Sequence, residues 1–183
     1  ILSLLACLTP QPPQLPLPES GAALAAAGLF AIAGGNYVEA RRYLDRSIAD
    51  ARASHDQATL GRVLRYSGIV HLRQENLAAA QQEFSEAVAI NEQIGNRQEL
   101  AITLSHLAEI ALLQQHYAQA QQIGEQAVQL LRTSQNKNQL AGSLRRLAQA
   151  HRHQTHVGPA RHYALESLEL NCEVGDPRGT AAS

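Results

Sequence analysis

Four histidines near the carboxyl end of the sequence have the side chains best suited to metal chemistry. They are His151, His153, His156 and His162. A neutral imidazole can bind zinc, copper or nickel. On a helix, however, residues two apart point about 200° away from each other, so His151 and His153 would face different directions. The spacing therefore favours solvated or helix-capping histidines, and we expect no metal site.

Short motifs of catalysis are absent from the sequence. There is no Gly-x4-Gly-Lys-Ser/Thr phosphate loop, no His-Glu-x-x-His, no Gly-x-Ser-x-Gly and no Cys-x-x-Cys. The widely separated Cys7 and Cys172 form no dense disulfide framework, which favours reduced thiols in the cytoplasm. We therefore expect a cytoplasmic protein that is not an enzyme and needs no cofactor.

Composition indicates the elements that carry these residues. The 183 residues are 45% hydrophobic but only 4% aromatic, and Ala, Leu and Gln recur throughout, which favours helices over strands. Fifteen basic and sixteen acidic residues leave a net charge of -1, so no overall field attracts nucleic acid or an anionic membrane. The apolar run at residues 1–8 is too short to span a bilayer.

A repeat of forty residues organises the chain. Small and apolar residues recur at this interval: Leu24, Leu64, Leu104 and Leu144; Gly28, Gly68, Ala108 and Ala148; Ala40, Ala80, Ala120 and Ala160. Within each row the apolar positions follow the i, i+3, i+4, i+7 pattern of an amphipathic helix, twice. The predicted helix pairs are 19–34 with 37–54, 58–74 with 77–94, 98–114 with 117–134, and 138–154 with 157–174.

Capping residues agree with these boundaries. Asp56, Asn96, Asn136 and Asp176 are predicted N-caps of first helices, and Asn36 and Asn76 of second helices. Glu39, Glu99 and Gln139 stand three residues after a cap and predict capping boxes, and Pro177 suits a first helical position. Gly34, Gly35, Gly95 and Gly175 are predicted to be left-handed residues at helix ends.

The predicted division has a short leading segment and an array. Residues 1–18 are assigned to the end of a preceding helix and a proline-rich linker, and residues 19–183 to the array. The repeats are about 21–60, 61–100, 101–140 and 141–180, with a fifth beginning at 176–183. Because the chain contains no Met, Ile1 is not a translation start, and we expect a segment of a longer protein.

The turn Gly35-Asn36-Tyr37-Val38-Glu39-Ala40 resembles the tetratricopeptide repeat family, whose usual period is 34 rather than 40. Longer variants of this kind are similar to the sensor arrays of bacterial ATPase-type transcriptional regulators of the LuxR or SARP kind. HEAT and armadillo repeats have a similar period, but nothing in this sequence supplies a third helix or kinking prolines. The resemblance implies an all-α, right-handed solenoid of about four helix-turn-helix repeats.

In that family the first helices line a concave groove, and the matching positions define a candidate binding site. The candidate groove residues are Arg62, Arg65, Ile69, Arg73, Ser105, Glu109, Arg145, Gln149 and Arg152. Arginine pairs with carboxylates through two parallel hydrogen bonds, so the hypothesis is a groove that binds an acidic segment or a free C-terminus. The alternative is that these arginines pair with Glu109 and neighbouring carboxylates, or remain solvated.

The favoured function is a non-catalytic scaffold that binds a protein or peptide, as part of a larger bacterial regulator. One alternative is contact with nucleic acid through the arginines, which the scarce aromatics and the single lysine, Lys137, argue against. Another is a structural spacer between catalytic and DNA-binding domains. We expect no membrane partner, and the uncapped ends of the array are surfaces at which copies could associate.

Overall fold

The computed structural model describes residues 20–134 and 136–175. Within these ranges the chain forms eight helices and no strand: α1 (Gly21–Ala33), α2 (Tyr37–Ala53), α3 (Gln57–Arg73), α4 (Leu77–Gln93), α5 (Arg97–Leu113), α6 (Tyr117–Arg132), α7 (Lys137–His153) and α8 (Val157–Val174). The predicted all-α solenoid is confirmed. The segments assigned to residues 1–18 and 176–183, with Asp176 and Pro177, lie outside the described residues.

Left-handed residues follow the described helices at positions spaced by multiples of twenty, and position 135 of this series lies outside the described residues. They are Gly35, His55, Glu75, Gly95, Gln115, Thr155 and Gly175, with φ from 56° to 74°. The prediction for Gly34 is wrong, because it has a right-handed φ of -79° and Gly35 makes the turn. At the non-glycine turns the next residue closes the helix end: the Asn76 N–H donates to the His71 carbonyl at 2.9 Å.

Side-chain caps form where the sequence places them, in the part of the chain that the structure describes. Asn36, Asp56, Asn76, Asn96 and Asn136 each accept a hydrogen bond from the backbone N–H three residues on, at 3.0–3.3 Å. The reciprocal half of the predicted capping boxes at Asn36 and Asn96 does not form. Their own N–H groups donate to the carbonyls five residues back.

The carboxylates of those two predicted boxes have other partners. Glu39 accepts a hydrogen bond from Arg42, and Glu99 accepts one from Arg65 on the preceding first helix. An ionised guanidinium is a stronger donor than a backbone N–H, so the arginines take the carboxylates.

Helix α1 is one turn shorter than the other first helices. The forty-residue register would begin it at residue 17, as α3, α5 and α7 begin at 57, 97 and 137. Pro18 disfavours helical backbone at the residue before it. The helix begins instead after Ser20, whose hydroxyl oxygen accepts a hydrogen bond from the Ala23 N–H at 3.2 Å.

The contacts between helices show which side of the solenoid is the inner one. Neighbouring first helices contact one another, whereas no Cα atoms of different second helices lie within 8 Å in the described residues. Second helices are joined by long side chains, as in the Arg132–Glu166 ion pair at 2.7 Å. The first helices therefore line the inner side of the solenoid, as the resemblance implies.

Small residues hold the two helices of a pair close together. Ala40, Ala80 and Ala120 are fully buried, and the glycines opposite the first two leave room for a large side chain. A Cβ atom on Gly28 would lie 2.7 Å from Leu44, and one on Gly68 would lie 2.6 Å from the Phe84 ring. The ring of Phe84 is itself fully buried, so it has little room to move.

We expect Gly68→Ala to lower the free energy of unfolding by about 1–3 kcal/mol, because it overpacks this contact. Gly124→Ala is the matched control, since Gly124 is also buried within a helix but its new Cβ would meet Leu147 at an ordinary contact distance of 3.4 Å. The control should be neutral or gain up to about 1 kcal/mol from helix propensity. Denaturant unfolding of both variants tests this, and equal stability would contradict the close contact.

Candidate partner-binding surface

Arg65 and Arg62 lie at the contact between α3 and α5. The Arg65 side chain is only 9% exposed, and its Nε donates to Glu99 Oε2 at 2.8 Å. Its guanidinium also lies over the Tyr66 ring, 4.5 Å from the centroid. Arg62 is more exposed and lies 4.0 Å from Glu99. At Arg65, therefore, the side chain is engaged by a carboxylate of the protein itself.

Ser105 and Glu109 lie at the next contact, between α5 and α7. The Ser143 hydroxyl donates to Ser105 Oγ at 2.7 Å. Glu109 Oε2 accepts from Arg146 Nη2 at 2.6 Å and from Arg146 Nε at 3.1 Å. Sequence reasoning missed Arg146, because the repeat aligns it with Tyr66 and His106 and does not mark it as a groove position.

Glu109 is held in its ionised form. Burial alone would raise its pKa, but the neighbouring His106 and the hydrogen-bonded charge of Arg146 outweigh burial and lower the pKa to about 2. His106 Nδ1 lies 3.5 Å from Glu109 Oε2, and burial lowers the pKa of His106. A neutral imidazole beside a charged Arg–Glu pair is thus part of the inner surface.

The other candidate groove residues are more open. Arg73, Arg145, Gln149 and Arg152 are exposed, while Ile69 is half-buried in the core around Phe84. Among the residues that the structure describes, no carboxylate lies within 4.0 Å of Arg73, Arg145 or Arg152. These three arginines carry charge that the described part of the protein leaves uncompensated.

Two of these arginines border a hollow of about 390 Å³ on α7 and α8. Its floor is apolar, formed by Ala148, Ala160, Ala164, Leu165 and Leu168, and its polar rim is formed by Arg145, Gln149, Arg152 and Arg161. Arg161 was not in the predicted set, because it lies on a second helix. Arg73 lies two repeats earlier, on α3, and does not line the hollow.

The hollow occupies a position that a helix covers in the preceding repeats. Forty residues earlier, Ala120, Gly124 and Val128 of α6 are buried, and Gly124 lies against Leu147 of α7. The matching residues of α8 are partly exposed. The hollow is thus the surface on which a further first helix would pack.

The side chains of the four histidines do not converge on a common point. His151 is buried against Tyr163, with its Nδ1 3.5 Å from that of His156. His153 stacks on Tyr117 at 4.4 Å, and His162 lies 4.0 Å from Glu166. No group of three or more His, Cys, Asp or Glu side chains in the described ranges could hold a metal ion. His116 and His156 make no side-chain cap.

Hydropathy identifies no membrane-crossing helix among residues 20–134 and 136–175, since none combines sufficient length with sufficient apolar character.

Fold and surface together define a class, the α-helical repeat solenoid. Residues 59–133 match the tetratricopeptide repeat family, and the helix pairs on both sides have the same two-helix architecture. No curated protein matches the chain.

Solved structures share the fold at low sequence identity. BtubC (BKLC) from P. vanneervenii is 9% identical with a TM-score of 0.74, over 85% of this chain and 65% of that one. The apo form of RapI is 13% identical with a TM-score of 0.78, over 89% and 45%. PH0952 from Pyrococcus horikoshii, a signal transduction ATPase with a tetratricopeptide repeat sensor, is 16% identical with a TM-score of 0.71, over 87% and 25%. The chain therefore spans less than two thirds of each.

We expect the Glu109 ion pair to contribute stability that depends on pH. Because the pKa of Glu109 is lowered from 4.5 to about 2 by folding, its contribution is complete above about pH 4.5 and is lost as the pH falls towards 2. Glu109→Gln should therefore lower the free energy of unfolding by on the order of 2–3 kcal/mol at pH 7 and by much less at pH 2.5.

Denaturant unfolding across pH tests this expectation. Glu92→Gln is the control, since Glu92 is an exposed glutamate with no cation within 4.0 Å in the described part of the chain. If Glu109→Gln lowers the free energy of unfolding by the same amount at both pH values, the ion-pair account is refuted.

Proposed function

We propose that the chain is a non-catalytic scaffold that binds a helical protein segment in the hollow of α7 and α8. The observation that supports this most directly is an apolar floor bordered by Arg145, Arg152 and Arg161, none of which has a carboxylate within 4.0 Å in the described residues. An apolar surface with uncompensated cations suits an amphipathic partner that carries carboxylates beside its apolar face.

A contact of the same kind already exists inside the protein. Arg65 has the same repeat position as Ser105, forty residues later, and Arg145, eighty residues later. Arg65 binds Glu99, the third residue of the next first helix, α5. By analogy, the bound segment places a carboxylate in its first turn, against Arg145. An acidic residue there is also favoured by the dipole of the segment's own helix.

At the aligned position of the next row, the sequence has no carboxylate. The residue aligned with Glu99 and Gln139 in the next row is Gly179. Residues 177–183 contain no Asp or Glu. In our proposal the carboxylate that pairs with Arg145 comes from the bound segment, an acidic helix or a C-terminus, and not from residues 177–183.

We further propose that the chain is the sensor segment of a larger cytoplasmic regulator. Its fold is similar to that of PH0952, described as a signal transduction ATPase with a tetratricopeptide repeat sensor, of which it spans 25%. The reading frame around these residues is then expected to encode a Gly-x4-Gly-Lys-Ser/Thr loop or a helix-turn-helix. A frame with neither would count against this origin without affecting the hollow.

Selection from a random peptide library displayed on phage tests the hollow. Bound peptides should be enriched in Asp or Glu beside Leu, Ile or Phe. Arg145→Glu with Arg152→Glu should weaken a selected peptide by at least about tenfold, or about 1.4 kcal/mol, because attraction becomes repulsion. The control is Arg46→Glu, which changes an arginine on α2 that is 65% exposed and paired only with Asp50.

Three results would contradict the proposal. One is equal loss of binding in the control, and another is enrichment of peptides without acidic residues. The third is unchanged binding of the selected peptide by the Arg145→Glu, Arg152→Glu variant, which would mean that the peptide binds elsewhere. Binding of single-stranded oligonucleotides with a steep salt dependence, unaffected by the peptide, would favour the nucleic-acid alternative.

A further inference from the structure

Helix α1 presents an uncovered apolar face at the opposite end of the solenoid from the hollow. Phe30 is 84% exposed, more than any other large hydrophobic residue reported for the described part of the chain. Ala23 and Ala26 are also exposed, and Ala27 and Ala31 are only partly covered. The helix residues on this face are uncharged.

The matching face is covered in every other first helix. The residues aligned with Phe30 are Val70, Ile110 and Ala150, which are 1%, 1% and 0% exposed. They pack against the second helix of the preceding repeat: Val70 joins the cluster of Ala40 and Leu44, and Ile110 joins that of Ala80 and Phe84. The face of α1 therefore has the form of a repeat contact from which the preceding second helix is missing.

Residues 1–8 have the sequence of such a helix in the correct register. Leu4 aligns with Leu44 and Phe84, Cys7 aligns with the buried small residues Ser47, Ala87, Ala127 and Ser167, and Leu8 aligns with Ile48 and Val128. We propose that residues 1–8 pack as the end of a second helix across the face of α1, with Leu4 against Phe30 and Ala27 and Leu8 against Ala23.

The intervening chain is long enough for this arrangement. Twelve residues, 9–20, separate the two segments, against three or four in the other connections to a first helix. Fully extended at about 3.1 Å per residue, they reach up to about 37 Å, which exceeds the length of α1, about 20 Å, so the connection can return residue 8 to the start of α1. The prolines also explain why the connection is not the usual tight turn.

Charge complementarity favours this occupant over a second copy of the chain. Residues 1–8 carry no charged side chain, like the face that they would cover. The open end of another copy would instead bring Arg145, Arg152 and Arg161 against a face with no carboxylate to receive them. Burial of an uncompensated charge is costly.

The two cysteines of the chain give a direct test by maleimide labelling of the intact protein. Cys172 is exposed and should react rapidly. Cys7 should react at least about tenfold more slowly, because its position is buried in all four other rows. Phe30→Asp should raise the Cys7 rate by about the same factor. Val38→Asp is the control, since Val38 is equally open and its equivalents Ala78, Ala118 and Gly158 are all exposed.

A second pair of variants keeps α1 intact. Leu4→Asp should expose Cys7, whereas Leu5→Asp should not, because Leu5 aligns with the exposed Asp45, Ser85 and Glu125. Equal rates for Cys7 and Cys172 in the unmodified protein would overturn the proposal, as would equal effects of Leu4→Asp and Leu5→Asp. Protection of Cys7 that disappears on dilution would assign the face to a second copy and would also overturn it.

Discussion

The structure depends on the close contact between the two helices of each pair. Where Gly28 meets Leu44 and Gly68 meets Phe84, there is no room for another carbon atom on the glycine. Fully buried alanines at 40, 80 and 120 bring the second helix equally close. Close packing maximises dispersion contacts and excludes water. The pairs are consequently stiff units, and the whole array is built by repeating one of them.

The first helix of each pair makes two kinds of contact with its neighbours. One face packs backward on the preceding second helix, as Val70 and Ile110 do. The inner edge makes charged contacts with the neighbouring first helices, as in Arg65–Glu99 and Arg146–Glu109. Inside the array each of these surfaces is covered by its counterpart on a neighbouring repeat. At the two ends of the described part they are not covered, and there lie the apolar face of α1 and the arginine-bordered hollow.

Agreement between sequence and structure varies with the range of the interaction. The helices and the five Asn and Asp caps were predictable, because a cap involves residues only three apart. The turns were predictable only in part: Gly35, Gly95 and Gly175 were expected to be left-handed, but His55, Glu75, Gln115 and Thr155 adopt the same backbone without being glycine. Their conformation is imposed by the packing of the helices on either side.

The sequence by itself determined the period, the helix pairs and the Asn and Asp caps, because all of these follow from local spacing repeated every forty residues. Only the tertiary structure decided which charges have partners. Arg65 and Arg145 occupy the same position in their repeats, yet Arg65 is buried against Glu99 and Arg145 is exposed beside a hollow. Arg65 meets the next first helix, α5, whereas the described residues include no first helix after α8, and a repeat position alone does not specify its neighbour.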